Sequence, residues 1–420
     1  MSDRLESSKQ RDGATLSPRL HEIGLPLGKS NDEIARRYKH AAGKSSTYSP
    51  EVVDMIYHMA REGAMSEESV GQFVAAKLQA ERDAQKIPEA ATWDALVFLS
   101  ANLTRLVIDP YRERCDSRVE ICSMRPKPLR LEGPVIFGGV DYSRIPETLF
   151  HGVMAASESI QSAIVVEPDW SAAQPSVQQM VALDVTHRKQ QWDLSHASAI
   201  EMYAPSAHEI SHDNIAPVME RIRKETRGLI PVGIVVPACH ARTVIDETIS
   251  CEPDFYVVDA QWTENSRSSA IFPELEGPPD MGALTDTVEQ LRKHRKEEII
   301  PVIFRGGIRC GADAGKAICL GASAVTLGVA SVIGMGFKLV VIGDEAGLLE
   351  KIKKRLDTSE VMTRVANVAK SITIEVTMLA RACGKSSVRN MEPEDLRALS
   401  IEVSQLTGVP IVGTDFDFRP

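Results

Sequence analysis

Residues 301–328 read PVIFRGGIRCGADAGKAICLGASAVTLG. The run 301–304 is short, apolar and partly β-branched, the composition of a strand buried on both faces. Two adjacent glycines, Gly306 and Gly307, then free the backbone, and Ala312-Asp313 opens an amphipathic stretch that ends near Gly321. A second buried run, 324–327, follows and stops at Gly328. Strand, glycine turn, helix and strand in this order form the unit from which parallel sheets are assembled. Glycines at a strand end let backbone N–H groups approach an anion, and the loops after the last two strands of a closed parallel barrel recurrently hold phosphate. Glycines that merely permit tight turns would read the same way.

Working outward, six more runs of the same texture precede this one, at 135–140, 163–166, 180–185, 199–203, 231–236 and 255–258. Amphipathic stretches separate several of them, with Ile215, Val218, Met219 and Ile222 before the fifth run and Leu284, Val288 and Leu291 before the seventh. Eight strands alternating with helices over about 200 residues is the arithmetic of a (β/α)8 TIM barrel. A doubly wound sheet would show a Gly-x-Gly-x-x-Gly turn after its first strand, and the chain has none there. Helical patterns flank the barrel. Ser30/Asn31 can cap a helix carrying Ile34 and Tyr38, Ser49-Pro50-Glu51 opens another with Val53, Ile56 and Tyr57, and a third follows Ser66. The expected domains are a helical N-terminal region at 1–92 with a disordered start, the barrel at 93–340, and a helical extension at 341–420.

The 420 residues carry 48 basic and 58 acidic side chains, a formal charge of −10. Residues 1–92 and 341–420 contribute −1 each, so the barrel holds −8. With no lysine- and arginine-rich stripe, nucleic acid and anionic membranes are excluded as partners. Seven scattered cysteines without a Cys-x-x-Cys pair, and a charged N-terminus without an apolar run, point to reduced thiols in the cytoplasm. The apolar stretch 324–343 begins as a strand and is interrupted by glycines, which argues against a membrane span.

The segments WDALVFLSANLTRLVIDPYRERCDSRVEI and PLRLEGPVIFGGV within 93–140, the 300–328 stretch, and LARACGKSSVRNMEPEDLRALSIEVSQLTGVP at 379–410 together resemble the FMN-binding central domain of glutamate synthase. They are closest in texture to stand-alone glutamate-synthase-like proteins related to N-methylglutamate synthase. The resemblance implies a (β/α)8 barrel with FMN over its C-terminal mouth, reducing an imine formed from a 2-oxo acid and ammonia or an amine. It implies that Gly138 and Gly139 face the flavin ring while Gly306, Gly307 and Gly328 hold its phosphate. Several positions depart from the family pattern. Gly233 stands where the family has a lysine, and Asp259-Ala-Gln-Trp-Thr-Glu-Asn-Ser-Arg replaces a glycine-rich turn, so that Gln261 and Trp262 would fill space left open there. Val140-Asp141-Tyr142-Ser143 replaces Met-Ser-Phe-Gly, and both a glycine-rich insertion and the cysteines of an iron–sulfur cluster are missing.

Expected chemistry sits where strands end. Asp141, His187, Asp259 and Arg305 are the candidate catalytic residues around a small amino acid, 2-oxo acid or imine. Arg305 could pair with a phosphate, with a substrate carboxylate, or with Glu201 or Asp259 across the mouth. A second reading gathers Glu167, His187, His208, His212, His240 and Asp259 into a metal site in a flavin-less barrel. His208-Glu-Ile-Ser-His212 matches a zinc-peptidase pattern, but Pro205 and the helix-start residues Ser211 and Asp213 break the continuous helix that chemistry needs. A third reading is a non-catalytic subunit or scaffold. The expected partners are a small-molecule substrate, a separate electron-donor or ammonia-supplying subunit, and further copies in a homo- or hetero-oligomer.

Overall fold

The computed structural model describes residues 47–48, 50–62, 92–101, 113–170, 176–187, 190–262, 265–275, 279–335 and 357–414. The expected helices at Ser30/Asn31 and after Ser66, and the start of the C-terminal extension, lie outside these residues. Eight parallel strands close into a barrel. They are β1 (Val135–Phe137), β2 (Ala163–Val166), β3 (Gln178–Asp184), β4 (Ala197–Tyr203), β5 (Val232–Pro237), β6 (Phe255–Asp259), β7 (Val302–Arg305) and β8 (Ala324–Leu327). Closure runs through β8 and β1, where Val325 sits opposite Val135 and Leu327 opposite Phe137. Nearly every strand residue is buried, because helices cover one face and the barrel interior the other. That double burial is why the runs read as unbroken apolar stretches. The segment 324–343 begins as β8, and among the described residues no helix is long and apolar enough to cross a membrane.

The helices are α1 (Pro50–Glu62), α2 (Glu147–Ser159), α3 (His212–Glu225), α4 (Ala241–Thr248), α5 (Met281–Lys293), α6 (Gly311–Cys319), α7 (Val329–Gly334), α8 (Thr358–Ala382) and α9 (Ile401–Thr407). Among the described residues, α-helices follow every strand except β2 and β3, whose connections are loops with one 3-10 turn at Pro168–Trp170. Among the described residues, the mouth beside β2 and β3 is thereby left without helical cover. Across the other half, the loop after β6 buries Trp262, Ile271 and Phe272. Backbone bonds tie it to both sides of the mouth, from the Ala207 N–H to the Asn265 carbonyl at 2.8 Å and from the Asp141 N–H to the Ile271 carbonyl at 3.1 Å.

The flanking segments pack onto the barrel. The long helix α8 buries Val361, Val365, Val368, Ile372 and Val376 along one stripe and lies against α1, α2 and α6. Gly152 makes its approach to α2 possible, since a Cβ there would collide with Val361. Leu96–Phe98 pairs antiparallel with Leu396–Ala398, joining the two ends of the described chain. Trp93 sets its ring edge-on to Phe304 of β7 at 5.3 Å.

A buried ion network fastens this segment to α6. Arg309 donates to both oxygens of Asp94 at 2.8 Å and to both oxygens of Asp313 at 2.7 and 2.9 Å, and its side chain is 3% exposed. Removing one member of a buried pair strands the other in a poor solvent, at a cost of about 3–5 kcal/mol. Arg309→Leu should therefore lose about that much stability in urea unfolding, while Arg118→Leu, at the exposed pair with Asp116, should lose less than about 1 kcal/mol.

Candidate active site

The C-terminal mouth is divided by one buried charge pair. Arg305, the last residue of β7, reaches across to Glu201 of β4, its Nη2 donating to Oε1 at 2.6 Å and Oε2 at 2.5 Å. Glu201 is fully buried and Arg305 is 3% exposed. Asp259, Arg305's register neighbour at the end of β6, adds a contact at 3.8 Å. Burial works against the guanidinium charge, but Glu201 and Asp259 more than offset it and raise the Arg305 pKa. Arg305 thus takes the third of its expected partnerships. In this arrangement its guanidinium faces two carboxylates inside the barrel.

On the β1–β4 side lies an open cleft of about 400 Å³. Among the described residues, Asp141, Glu167, Asp169 and Asp184 line it with His187, Gln190, Trp192 and Tyr203. His187 is exposed and its Nδ1 lies 3.4 Å from Asp184 Oδ2. Burial pushes the Glu167 carboxyl up to about 7, with Arg267 opposing and Glu201 and Asp141 reinforcing the shift. A carboxyl group balanced near neutrality can hold or release a proton under ordinary conditions. Arg221 stacks on Trp192 and Arg267 on Tyr203, with guanidinium carbons 4.0 and 4.4 Å from the ring centroids.

On the β7–β8 side, the glycine turns form a cup of backbone amides. Gly139 and Gly307 take left-handed backbone angles, with φ of 77° and 62°. The cup is filled from within by Glu274, which is 1% exposed. Its Oε2 accepts from the Val329 N–H at 3.0 Å and from the Tyr48 hydroxyl. Its Oε1 is buried without a well-aligned hydrogen-bond partner, where a Cβ on Gly328 would approach it to 2.7 Å and one on Gly139 to 3.3 Å. Burial pushes Glu274 up to about 7, against the pull of Tyr48 and of the Val329 and Gly307 amides.

The four candidate catalytic residues are therefore split. Asp141 and His187 share the open cleft, while Asp259 and Arg305 lie buried with Glu201. Gly138, Gly139, Gly306, Gly307 and Gly328 lie just beyond the C-terminal ends of β1, β7 and β8, and Gln261 packs 3.2 Å from where a Gly306 Cβ would stand. A side chain at Gly233 would overlap the Phe255 ring of β6.

The six candidate metal ligands do not assemble. Among the described residues no three histidine, cysteine or carboxylate side chains form a metal-binding group. His208 sits in a 3-10 turn, with its ring 5.7 Å from that of His240, whose Nε2 lies 2.8 Å from Asn265 Oδ1. His212 is the first residue of α3 and pairs with Asp213. Glu209 closes a capping box on Ser206, and the chain turns before His212, so the two histidines share no helix.

Sequence reasoning missed Glu274, Tyr48, Asp169 and Asp184. Asp184 carried a faint signal, as a carboxylate within a run assigned as strand to 185. Glu274 and Tyr48 are 226 residues apart and carried none.

Residues 198–386 match the family model described as a conserved region in glutamate synthase. A glutamate synthase large subunit-like protein of Rhizobium meliloti (strain 1021) is 25% identical over 399 residues, covering 79% of this chain and 89% of the relative. The archaeal glutamate synthase [NADPH] of Methanocaldococcus jannaschii is 28% identical over 213 residues, and there the match spans 48% of this chain and 42% of the relative. Among solved structures, a flavocytochrome b2 variant with benzoylformate superposes with a TM-score of 0.51 at 15% identity, over 92% of this chain and 95% of that one. At that identity the likeness concerns the barrel fold alone.

The ion pair across the mouth gives a test of its own. Glu201→Leu should cost about 3–5 kcal/mol in urea unfolding by leaving Arg305 buried beside Asp259 alone. The double change Glu201→Leu with Arg305→Met should recover most of that loss, and a double variant no better than the single one would show that the pair does not act as a unit.

Proposed function

We propose, taking as premise that this barrel is a glutamate-synthase-family domain, that the chain is an enzyme of the oxidoreductase class acting on a small, positively charged amine or imine held in the acidic cleft. The observation that carries the substrate class is the cleft lining, which among the described residues brings four carboxylates and two aromatic side chains together. Low-dielectric walls concentrate that negative field and favour a cation over an anion. Asp141, Asp169 and Asp184 would hold the ammonium or iminium charge. Glu167, near neutrality, would accept or return the proton that an amine gains and loses between its two oxidation states. Asp259 and Arg305 are positioning residues that keep Glu201 and the end of β6 in place.

FMN is the electron carrier that the family resemblance implies, and when bound it supplies hydride transfer. The amides of Gly307 and Val329, with the space above Gly328, suit an anionic phosphate group, as the carboxylate seated there attests. Gly306 would complete that seat, and Gly138 and Gly139 would border the ring. A separate electron donor or ammonia source, a cytoplasmic location and an oligomeric assembly complete this reading. The expected division at residues 92 and 340 is kept as a working description.

Calorimetric titration with methylammonium, with acetate as anionic control, tests the substrate class. Methylammonium should bind and acetate should not. Affinity should rise with pH through about 7 as Glu167 ionises, because the ionised carboxylate attracts the cation and the protonated acid does not. Glu167→Gln should weaken binding about tenfold, roughly 1.4 kcal/mol, and flatten that pH dependence. Equal binding of acetate, or none of methylammonium, would remove the reading.

A further inference from the structure

We propose that Glu274 is a resident stand-in for phosphate: a phosphate group, whether that of FMN or inorganic phosphate, enters the cup at the ends of β7 and β8 only in exchange for the Glu274 carboxylate. The exchange deepens the preceding reading, because it sets a condition on how its electron carrier could be seated. Three observations meet here. The Glu274 carboxylate takes the Val329 N–H and lies beside the Gly307 amide, the two donors an incoming anion would need. Its oxygen lies so close over Gly328 and Gly139 that even one added methyl group would crowd it. Tyr48, buried just before α1, donates to the same carboxylate and holds it in place from outside the barrel.

The Gly311 amide offers no second seat. The Gly311 N–H at the start of α6 donates to Glu375 Oε2 of α8 at 2.6 Å, and Arg309 is committed to Asp94 and Asp313. Arg305, the other cation of the mouth, is committed to Glu201. An entering phosphate would also bring further negative charge next to Glu274, so the two cannot share the cup. Displacement of Glu274 also breaks the Tyr48 contact, which ties occupancy of the cup to the position of the segment leading into α1.

The full chain and its Glu274→Ala, Glu274→Gln and Tyr48→Phe variants would be titrated with FMN, by quenching of flavin fluorescence, and with inorganic phosphate, by calorimetry. The wild-type chain should bind both weakly. Glu274→Ala should bind both at least about tenfold more tightly, Glu274→Gln should shift the same way, and Tyr48→Phe should fall between. The Gln variant keeps the side-chain volume, so it carries the test if the Ala variant fails to fold, with circular dichroism melting as the check on folding. Wild type binding FMN as tightly as the Glu274 variants would overturn the proposal. So would tighter FMN binding without tighter phosphate binding, or no gain in any folded variant. Methylammonium binding should be unchanged in the Glu274 variants, which separates a failure here from a failure of the amine reading.

Discussion

The mouth of this barrel is organised around a guanidinium that cannot reach water. Arg305 ends β7 with 3% of its surface exposed, and its charge is tolerable only because Glu201 of β4 and Asp259 of β6 meet it inside the barrel. A closed barrel makes such a meeting possible, since strands distant in sequence aim alternate side chains at a common axis. The pair spans the opening from β4 to β7, and what lies on either side differs in kind.

On the β1–β4 side four carboxylates stand among the described lining residues, and on the β7–β8 side backbone amides do. In the proposed reading the first half would take a cation and the second an anion, at the same end of one domain. The division follows from the connections. Among the described residues no α-helix follows β2 or β3, and strand-end carboxylates there face an open cleft, whereas the glycine turns after β7 and β8 bend amides inward and the loop after β6 buries Trp262 and Phe272. The barrel segment's formal −8 therefore does not prevent an anion-binding cup, because partial charges on oriented N–H groups act at contact distance. Here the anion they receive is the protein's own.

Much of the barrel was legible because double burial gives a strand a composition that needs no alignment to see. The boundaries at 163–166 and 324–327 coincide with β2 and β8, and the others differ by a few residues at their ends. The first run was read three residues too long, since Gly138-Gly139-Val140 continues the apolar texture while the backbone has already turned. The glycine cup was legible too, because only glycine serves where φ is positive and a neighbour stands within van der Waals reach. The identity of its occupant was not. Glu274 lies in Ile271-Phe-Pro-Glu-Leu, a loop whose composition fits an exposed turn as well as a buried carboxylate. Only the closure of the fold brings Tyr48 and Val329 to it.

The burial of Glu274 also bears on how the mouth is held shut. Its carboxyl is raised to about 7 although three donors favour ionisation, so desolvation is the larger influence. For an acid raised above its unfolded value, the folded chain binds the proton more tightly than the unfolded chain does. Stability is then lost as pH climbs from about 4.5 to about 7, and the ionised group remains a cost above that range. The same sign holds for Glu167 in the open cleft, raised to a similar value by the same cause. Two acids facing opposite halves of one mouth are thus held near the point where a proton decides their charge. Under the proposed roles, the ionised form would attract a cation in the cleft and would occupy the place of an anion in the cup, so rising pH would load one half and lock the other.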